Sequence, residues 1–155
     1  MGLILRRPDD PPASDAYAQW FATTGTQARL DPERRLPDMD ARLEAAFAAS
    51  IEAWWGLGRD MAGDPTAAFA HTPAAAAFES DFGVMLAWTR LAAEIAAGDK
   101  VHLAVCDDPW LFRHIAALPG IKAGRPPALW PRALFLFARG FLARAAVAVR
   151  MLMAA

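Results

Sequence analysis

Cysteine, long apolar runs and, towards the C-terminus, acidic residues are all scarce in this sequence. Cys106 is the one cysteine among 155 residues, so no internal disulfide can form and a reducing, cytoplasmic setting is expected. The opening MGLILRRPDDPP has only a short apolar run, and its charges follow that run instead of preceding it. We therefore predict no secretory signal peptide.

The usual signatures of metal, nucleotide and nucleophile sites are also missing. His71, His102 and His114 have no metal-ligand spacing with one another or with Cys106. No glycine-rich loop follows the predicted strand, and no serine lies in a GxSxG elbow. We therefore predict no metal and no cofactor, assign these side chains structural or surface roles, and name no catalytic residue.

Charge is divided unevenly along the chain. Residues 1–108 contain all 17 acidic and nine basic residues, a net charge of −8, whereas residues 109–155 contain seven basic residues and no acidic one. The seven are Arg113, Lys122, Arg125, Arg132, Arg139, Arg144 and Arg150. This pattern predicts an anionic partner for the last third, or pairing with the acidic part of the same fold. Nucleic acid is not the expected partner, because the basic residues are few and lysine is rare.

Helical periodicity dominates the middle of the chain. One apolar stripe predicts a continuous helix from Asp38 to about residue 63, capped by Asp38 or Asp40. Its members are Met39, Leu43, Phe47, Ile51 and Trp54. A second helix is predicted over residues 75–97. Its expected inner side comprises Phe78, Phe82, Met85 or Leu86, Thr89, Ala93 and Ala96.

A strand that passes directly into a helix is predicted at VHLAVCDDPWLFRHIAAL. Residues 101–105 alternate as a strand does, and Asp108 followed by Pro109 suits the start of a helix. The segment GLIL is the expected partner strand, and SDAYAQWFATTG is predicted to be a short helix capped by Ser14. The predicted fold class is α/β, predominantly helical, with one Rossmann-like strand–turn–helix unit and three or four packed helices.

Three parts follow from these patterns. Residues 1–37 form an irregular segment with a short strand and a helix, residues 38–120 a helical α/β body, and residues 121–155 a basic, apolar C-terminal helix. The last helix reaches residue 155 without a stop signal. We therefore expect one domain, or a fragment of a larger protein.

Asp107 and Asp108 are candidate ligand-binding residues. Ligands of open α/β sheets bind beyond the carboxyl ends of the strands, where adjacent aspartates can hold a divalent cation or a ribose hydroxyl. The alternative is that Asp108 caps the helix and Asp107 is solvated. Trp55 is a further candidate ligand-binding residue. The residue before it, Trp54, belongs to the inward stripe, and adjacent residues of a helix point about 100° apart. The other tryptophans from Trp88 onwards are expected in the core.

The C-terminal helix has a basic stripe on an otherwise apolar surface. At about 100° per residue, Arg132, Arg139 and Arg150 lie within about 20° of one another and Arg144 about 120° away. A membrane span is rejected, because the longest uncharged run among residues 133–155 has six residues. Two hypotheses remain: an interfacial helix on an anionic membrane, and a helix packed on this protein or on a second copy, with its arginines exposed or paired with the acidic part.

Residues 50–118 resemble a known family in the order of their elements. A helix bearing SIEAWWGLGRD, a loop, the helix ESDFGVMLAW, a strand and the turn VCDDPW follow one another. This order is similar to the front part of bacterial surface-carbohydrate biosynthesis proteins related to two-domain glycosyltransferases. The resemblance implies a role near nucleotide-sugar or lipid-linked glycan assembly at the inner membrane face. The donor-binding half of such an enzyme has no counterpart in these residues, so no catalytic residue is transferred.

Three functional hypotheses result. The first is an N-terminal or accessory module of a surface-polysaccharide glycosyltransferase-like protein, peripheral to the cytoplasmic membrane face. The second is a non-catalytic helical interaction protein, in which the last helix forms a homodimer or binds a partner helix. The third is a small enzyme that uses Asp107 and Asp108 with a metal.

Overall fold

The computed structural model describes residues 2–11, 18–23, 30–63 and 81–154, in which helices pack on a parallel sheet. In chain order the elements are β1 (Leu3–Arg6), β2 (Gln19–Ala22), a 3-10 turn (Pro32–Arg34), α1 (Met39–Ala48), α2 (Ile51–Ala62), α3 (Asp81–Ala97), β3 (His102–Val105), α4 (Pro109–Ala116), β4 (Ile121–Ala123) and α5 (Trp130–Ala154). The predicted class, α/β and mostly helical, is confirmed.

The sheet has four parallel strands in the order β2-β3-β1-β4. The predicted pairing of the N-terminal strand with the strand before Asp107 is confirmed, with Leu3 opposite His102 and Arg6 opposite Val105. The expected strand pair is too small, however. β2 and β4 extend it on either side: β2 lies in a segment for which the sequence predicts a helix, and β4 has only three residues.

Residues 19–22 form a strand, so the predicted helix over residues 14–25 is wrong where it is described; its proposed cap, Ser14, lies outside the described residues. The strand is held from both sides. Trp20 and Phe21 pair with β3, and the main chain of Leu36 donates to the Trp20 carbonyl at 2.8 Å. The buried indole N–H of Trp20 donates to the Asp31 carbonyl at 2.7 Å. Aromatic side chains favour strands, and here the contacts with β3, Asp31 and Leu36 select a strand over a helix.

The predicted helix from Asp38 is two helices, α1 and α2, which separate at residues 49–50. The Ser50 hydroxyl donates to the Ala46 carbonyl at 2.7 Å, and Arg90 donates to the Ala49 carbonyl at 3.2 Å. These bonds satisfy carbonyls that a continuing helix would use. The break turns Ile51 outwards to 40% exposure. Asp38 occupies the N-cap position in a left-handed conformation but makes no side-chain cap.

The second predicted helix is confirmed in its described part as α3, but its inner side is rotated. Of the predicted inner residues, Ala96 is buried and Met85 packs against the core, but Ala93 is exposed and Thr89 is half-buried. Trp88, Leu91 and Ile95 are buried instead. Alanines lie on every side of this helix, so the sequence pattern did not define which side faces the core. Phe78 and the side chain of Phe82 lie outside the described residues.

Both faces of the sheet are covered. On the helical face, Phe21 of β2 stacks on Trp88 of α3, with ring centroids 6.0 Å apart. This face carries the main core, whose fully buried members include Leu3, Leu5, Leu91, Leu111, Phe112 and Ile115. On the other face, Trp20 and Leu103 form a smaller cluster with Ala18. Burial on both faces is the usual situation of a parallel sheet.

Gly2 is the tightest packing point of the N-terminal strand. A Cβ at this position would lie 2.5 Å from the carbonyl oxygen of Ala96, at the end of α3, and 3.0 Å from that of Gly98. Real Cβ atoms do not approach backbone atoms this closely, so a side chain at Gly2 must displace β1 from α3.

We predict that Gly2→Ala lowers the free energy of unfolding by about 1–3 kcal/mol, the usual cost of overpacking. Gly58→Ala is the control, because nothing lies within 4 Å of its added Cβ, and alanine in a helix should be neutral or stabilising. Urea unfolding of both variants gives the comparison. Equal stabilities for Gly2→Ala and the wild type would contradict this packing.

Candidate functional site

The carboxyl ends of the four parallel strands meet at one edge of the sheet, where ligands of open α/β sheets usually bind. Three polar groups follow the strands there: the Arg7–Asp10 turn after β1, Thr23 after β2, and Cys106 to Asp108 after β3. The ladder continues into these segments, since the Cys106 amide donates to the Arg6 carbonyl at 2.9 Å. The edge therefore has a fixed backbone geometry.

Arg7 and Asp10 close the turn after β1. The Arg7 main chain donates to Asp10 Oδ2 at 2.8 Å, and Arg7 Nη2 donates to Oδ1 at 2.8 Å. Burial alone would raise the pKa of Asp10, but the hydrogen bonds and charge of Arg7, with the charge of Arg6, hold it below its usual value. Asp10 thus stays ionised, and both of its carboxylate oxygens accept hydrogen bonds from Arg7. A Cβ on Gly124, after β4, would lie 3.5 Å from its Oδ2, an ordinary contact distance, so the two loops are neighbours.

Cys106 is fully buried and has no nucleophilic character at neutral pH. Burial raises the pKa of its thiol to about 11, and the neighbouring charges of Asp107 and Asp108 act in the same direction; a hydrogen bond with Thr23 opposes them. Its Sγ donates to the Asp108 carbonyl at 3.5 Å. The prediction that Cys106 is a small buried hydrophobe agrees with this placement.

Asp108 is the N-cap of α4. Its Oδ1 accepts from the amides of Trp110 at 3.0 Å and Leu111 at 2.9 Å, and Pro109 occupies the first helical position. Asp107 is exposed. Within the described residues, no group of three or more His, Cys, Asp or Glu side chains could hold a metal ion. The carboxylate of Asp108 is therefore used to cap α4, and Asp107 is the exposed member of the pair.

The two described histidines lie apart from this edge. His102 starts β3, at the opposite end of the strand, where its Nδ1 is 3.1 Å from the Lys100 carbonyl. Burial lowers its pKa, and the charges of Arg42 and Lys100 add to this effect. His114 is exposed on α4, and His71 lies outside the described residues.

The tryptophans divide between core and surface. Trp54 and Trp88 are buried, as predicted, and Trp55 is 50% exposed on α2, which confirms its outward orientation. The expectation that Trp110 and Trp130 lie in the core is wrong. They are 38% and 69% exposed, because Trp110 follows the cap of a helix whose other side packs inwards and Trp130 begins α5.

Helix α5 is the largest uncovered apolar surface of the described chain. Ten of its large apolar side chains are each more than half exposed: Leu134, Phe135, Phe137, Phe141, Leu142, Val147, Val149, Met151, Leu152 and Met153. No other described element packs extensively against this helix. The described residues therefore do not provide the packing of α5 on this protein's own body that one hypothesis expected.

The arginines of α5 are exposed as well. Arg139, Arg144 and Arg150 make no ion pair with any described carboxylate, so the predicted pairing with the acidic part is wrong for the described residues. Arg132 lies in the first turn of α5, and its side chain lies outside the described ones. Among the described residues, no helix has the length and the hydropathy required to cross a membrane.

Sequence reasoning missed a groove of about 480 Å³ between α3 and α4. Its lining comprises Met85, Leu86, Thr89, Trp110, Arg113, His114 and Ala117. The available signal was Trp110, the one aromatic residue on the outward side of the amphipathic α4. Sequence periodicity placed it in the core instead.

Comparison with known proteins gives no significant match. No family model, no curated protein and no solved structure is similar enough to this chain to assign it to a family.

We predict that Asp108→Ala lowers the free energy of unfolding by about 1 kcal/mol, the usual value of an N-cap side chain. Asp107→Ala is the matched control, and it should change stability by less than about 0.5 kcal/mol, as exposed substitutions do. Urea unfolding of the two variants decides. Equal losses at the two positions would contradict the division of roles between these aspartates.

We predict that the Cys106 thiol reacts with a disulfide reagent at pH 8 at least a hundredfold more slowly in the native protein than in urea, since the buried group is inaccessible and the thiolate is the reactive form. Stability should also fall between about pH 9 and 11, because the unfolded thiol loses its proton first. Cys106→Ala should remove this part of the pH dependence. Rapid labelling of the folded protein at pH 8 would show that Cys106 is accessible.

Proposed function

We propose that this chain is a peripheral membrane module, in which α5 lies on an anionic membrane surface and the α/β body, residues 2–123, remains outside it. The single observation behind this proposal is an exposed helix of 25 residues with apolar side chains, arginines and no acidic residue. At 1.5 Å per residue such a helix is about 37 Å long. Basic residues on an apolar helix are typical of interfacial helices.

The positions around α5 support this arrangement. Phe137, Phe141 and Leu152 lie within about 60° of one another, and Arg139 and Arg150 lie on the opposite side. With the aromatic side facing the acyl chains, these two arginines face water and headgroups. Arg144 lies near the edge of the apolar side, where a long side chain can reach the headgroups.

Burial of apolar side chains contributes more to the proposed membrane binding than electrostatic attraction does. Removing one Phe or Leu side chain from water contributes about 1.5–3 kcal/mol, and each arginine near an anionic surface about 1 kcal/mol. Several apolar side chains therefore supply most of the binding free energy. The arginines supply the preference for anionic lipid and its salt dependence.

We further propose that this surface is the cytoplasmic face of the inner membrane and that the chain is an N-terminal or accessory module of a glycosyltransferase-like protein in bacterial surface-polysaccharide biosynthesis. The resemblance of residues 50–118 supports this, and a peripheral helix fits the location. Inactivation of the gene should reduce surface polysaccharide. Unchanged polysaccharide would contradict the pathway while leaving the membrane proposal intact.

A specific observation also favours the second candidate, a homodimer through α5. One seam of the helix, spaced three and four residues apart, contains no arginine. It comprises Phe135, Ala138, Leu142, Ala145, Val149 and Leu152. A paired helix on this seam would leave Phe137 and Phe141 exposed, whereas a membrane covers them. The membrane orientation in turn leaves Phe135 exposed, about 40° from Arg139, but it also accounts for the arginines and the absence of acidic residues in α5.

We predict that the protein sediments with vesicles of phosphatidylcholine and phosphatidylglycerol, less with phosphatidylcholine alone, and less at high salt. Replacing Arg139, Arg144 and Arg150 by Gln should weaken binding to the anionic vesicles about a hundredfold, from about 1 kcal/mol per arginine. Replacing Phe137 and Phe141 by Ser should weaken binding to both kinds of vesicle.

The matched control replaces Arg42, Arg59 and Arg90 by Gln. These arginines are exposed on α1 to α3, so the same charge is removed from the body, and vesicle binding should change by less than about threefold. Absence of binding to anionic vesicles would refute the proposal. A lipid-independent dimer by light scattering, disrupted by Leu142→Asp but not by Phe137→Asp, would establish the second candidate instead.

A further inference from the structure

The groove between α3 and α4 has the size and lining of a small-ligand site on the body, separate from α5. Its volume of about 480 Å³ lies within the range of ligand pockets. Met85 and Leu86 of α3 form one wall, and Trp110 and Ala117 of α4 the other. Half-buried apolar walls with an exposed indole indicate a surface that a hydrocarbon chain would cover.

The polar groups of the groove set the charge of its ligand. Thr89 Oγ1 donates to the Met85 carbonyl at 2.8 Å, so this hydroxyl is used within α3. Arg113 Nη1 donates to the Pro109 carbonyl at 2.6 Å, a bond that fixes the guanidinium at the groove and uses one of its five N–H donors. His114 is the other polar side chain of the described lining, and this lining contains no carboxylate.

We propose that this groove binds the alkyl chain of a single anionic amphiphile, a fatty acid or an alkyl phosphate, with the headgroup on Arg113. The chain covers Met85, Leu86 and the indole of Trp110. The headgroup accepts charge-assisted hydrogen bonds from the remaining guanidinium donors, which are stronger than neutral ones.

Charge distinguishes this ligand from another apolar occupant, the α5 helix of a second copy. That helix contains arginines and no acidic residue, and it would meet Arg113 with like charge, which opposes association. An anionic headgroup meets the same side chain with opposite charge. The proposal does not require α5 to bind a membrane, so the two can fail separately.

The test uses the full chain and alkyl phosphates below their micelle concentration. In a Trp55→Phe/Trp130→Phe background, Trp110 is the remaining tryptophan with substantial exposure, since Trp20, Trp54 and Trp88 are at most 8% exposed. A terminally brominated dodecyl phosphate should quench this indole. Shortening the alkyl chain should weaken binding about fourfold per methylene, and inorganic phosphate should neither bind nor quench.

Two groove variants and one control test the assignment. Arg113→Gln should weaken dodecyl phosphate binding about tenfold but leave dodecyl alcohol binding unchanged. Leu86→Gln should weaken the binding of both. Arg90→Gln, an exposed arginine of α3 outside the groove, should change neither. The Arg139/Arg144/Arg150→Gln variant should still bind through Trp110, which separates this site from adsorption on α5.

Several outcomes would overturn the proposal. One is the absence of Trp110 quenching at saturating dodecyl phosphate. Another is equal binding to Arg113→Gln and to the wild type. Tighter binding of dodecyl trimethylammonium than of dodecyl phosphate would likewise show that the groove does not select an anion.

Discussion

The parallel pairing of β1 with β3 is the interaction on which the body depends. It joins residues about a hundred positions apart, buries Leu3 and Leu5 against the helices, and brings the Arg7–Asp10 turn to the same sheet edge as Cys106. The ladder also fixes the start of α4, because Asp108 follows two residues after the last hydrogen-bonded position. β2 and β4 then add to strands already in place. Contacts this distant in sequence carry a loop-closure cost and favour slow folding.

Completion of this body explains why α5 is uncovered. Helices α1, α3 and α4 fill the helical face of the sheet, and Trp20 with Leu103 covers part of the other. The apolar groove that remains between α3 and α4 is lined by no residue of α5. The arginines of α5 also find no described carboxylate, although the body is acidic. The proposed placement of α5 on an anionic membrane surface accounts for both features.

How much the sequence predicts depends on whether local rules or tertiary contacts decide. The cap at Asp108 and Pro109 follows from local chemistry and was predictable, as was the outward position of Trp55 beside an inward Trp54. The strand at Trp20 was not, because its partners are β3 and the carbonyl of Asp31. The alanines of α3 left its buried side undefined in the sequence pattern, because a small residue fits either inside or outside. The break at Ser50 also involves the distant Arg90, which donates a hydrogen bond to the Ala49 carbonyl. The α3–α4 groove needs two helices in place before it exists, so no single stretch indicates it.

The division between a self-sufficient body and an uncovered basic helix is the central claim, and amide hydrogen exchange tests it most directly. In lipid-free monomer, amides of residues 130–154 should exchange far faster than those of β1 and β3, because no tertiary packing protects them. Anionic vesicles should slow exchange in α5 and leave the body unchanged. Core-like protection of α5 in the lipid-free monomer would contradict the account, since it would mean that the body itself covers this helix.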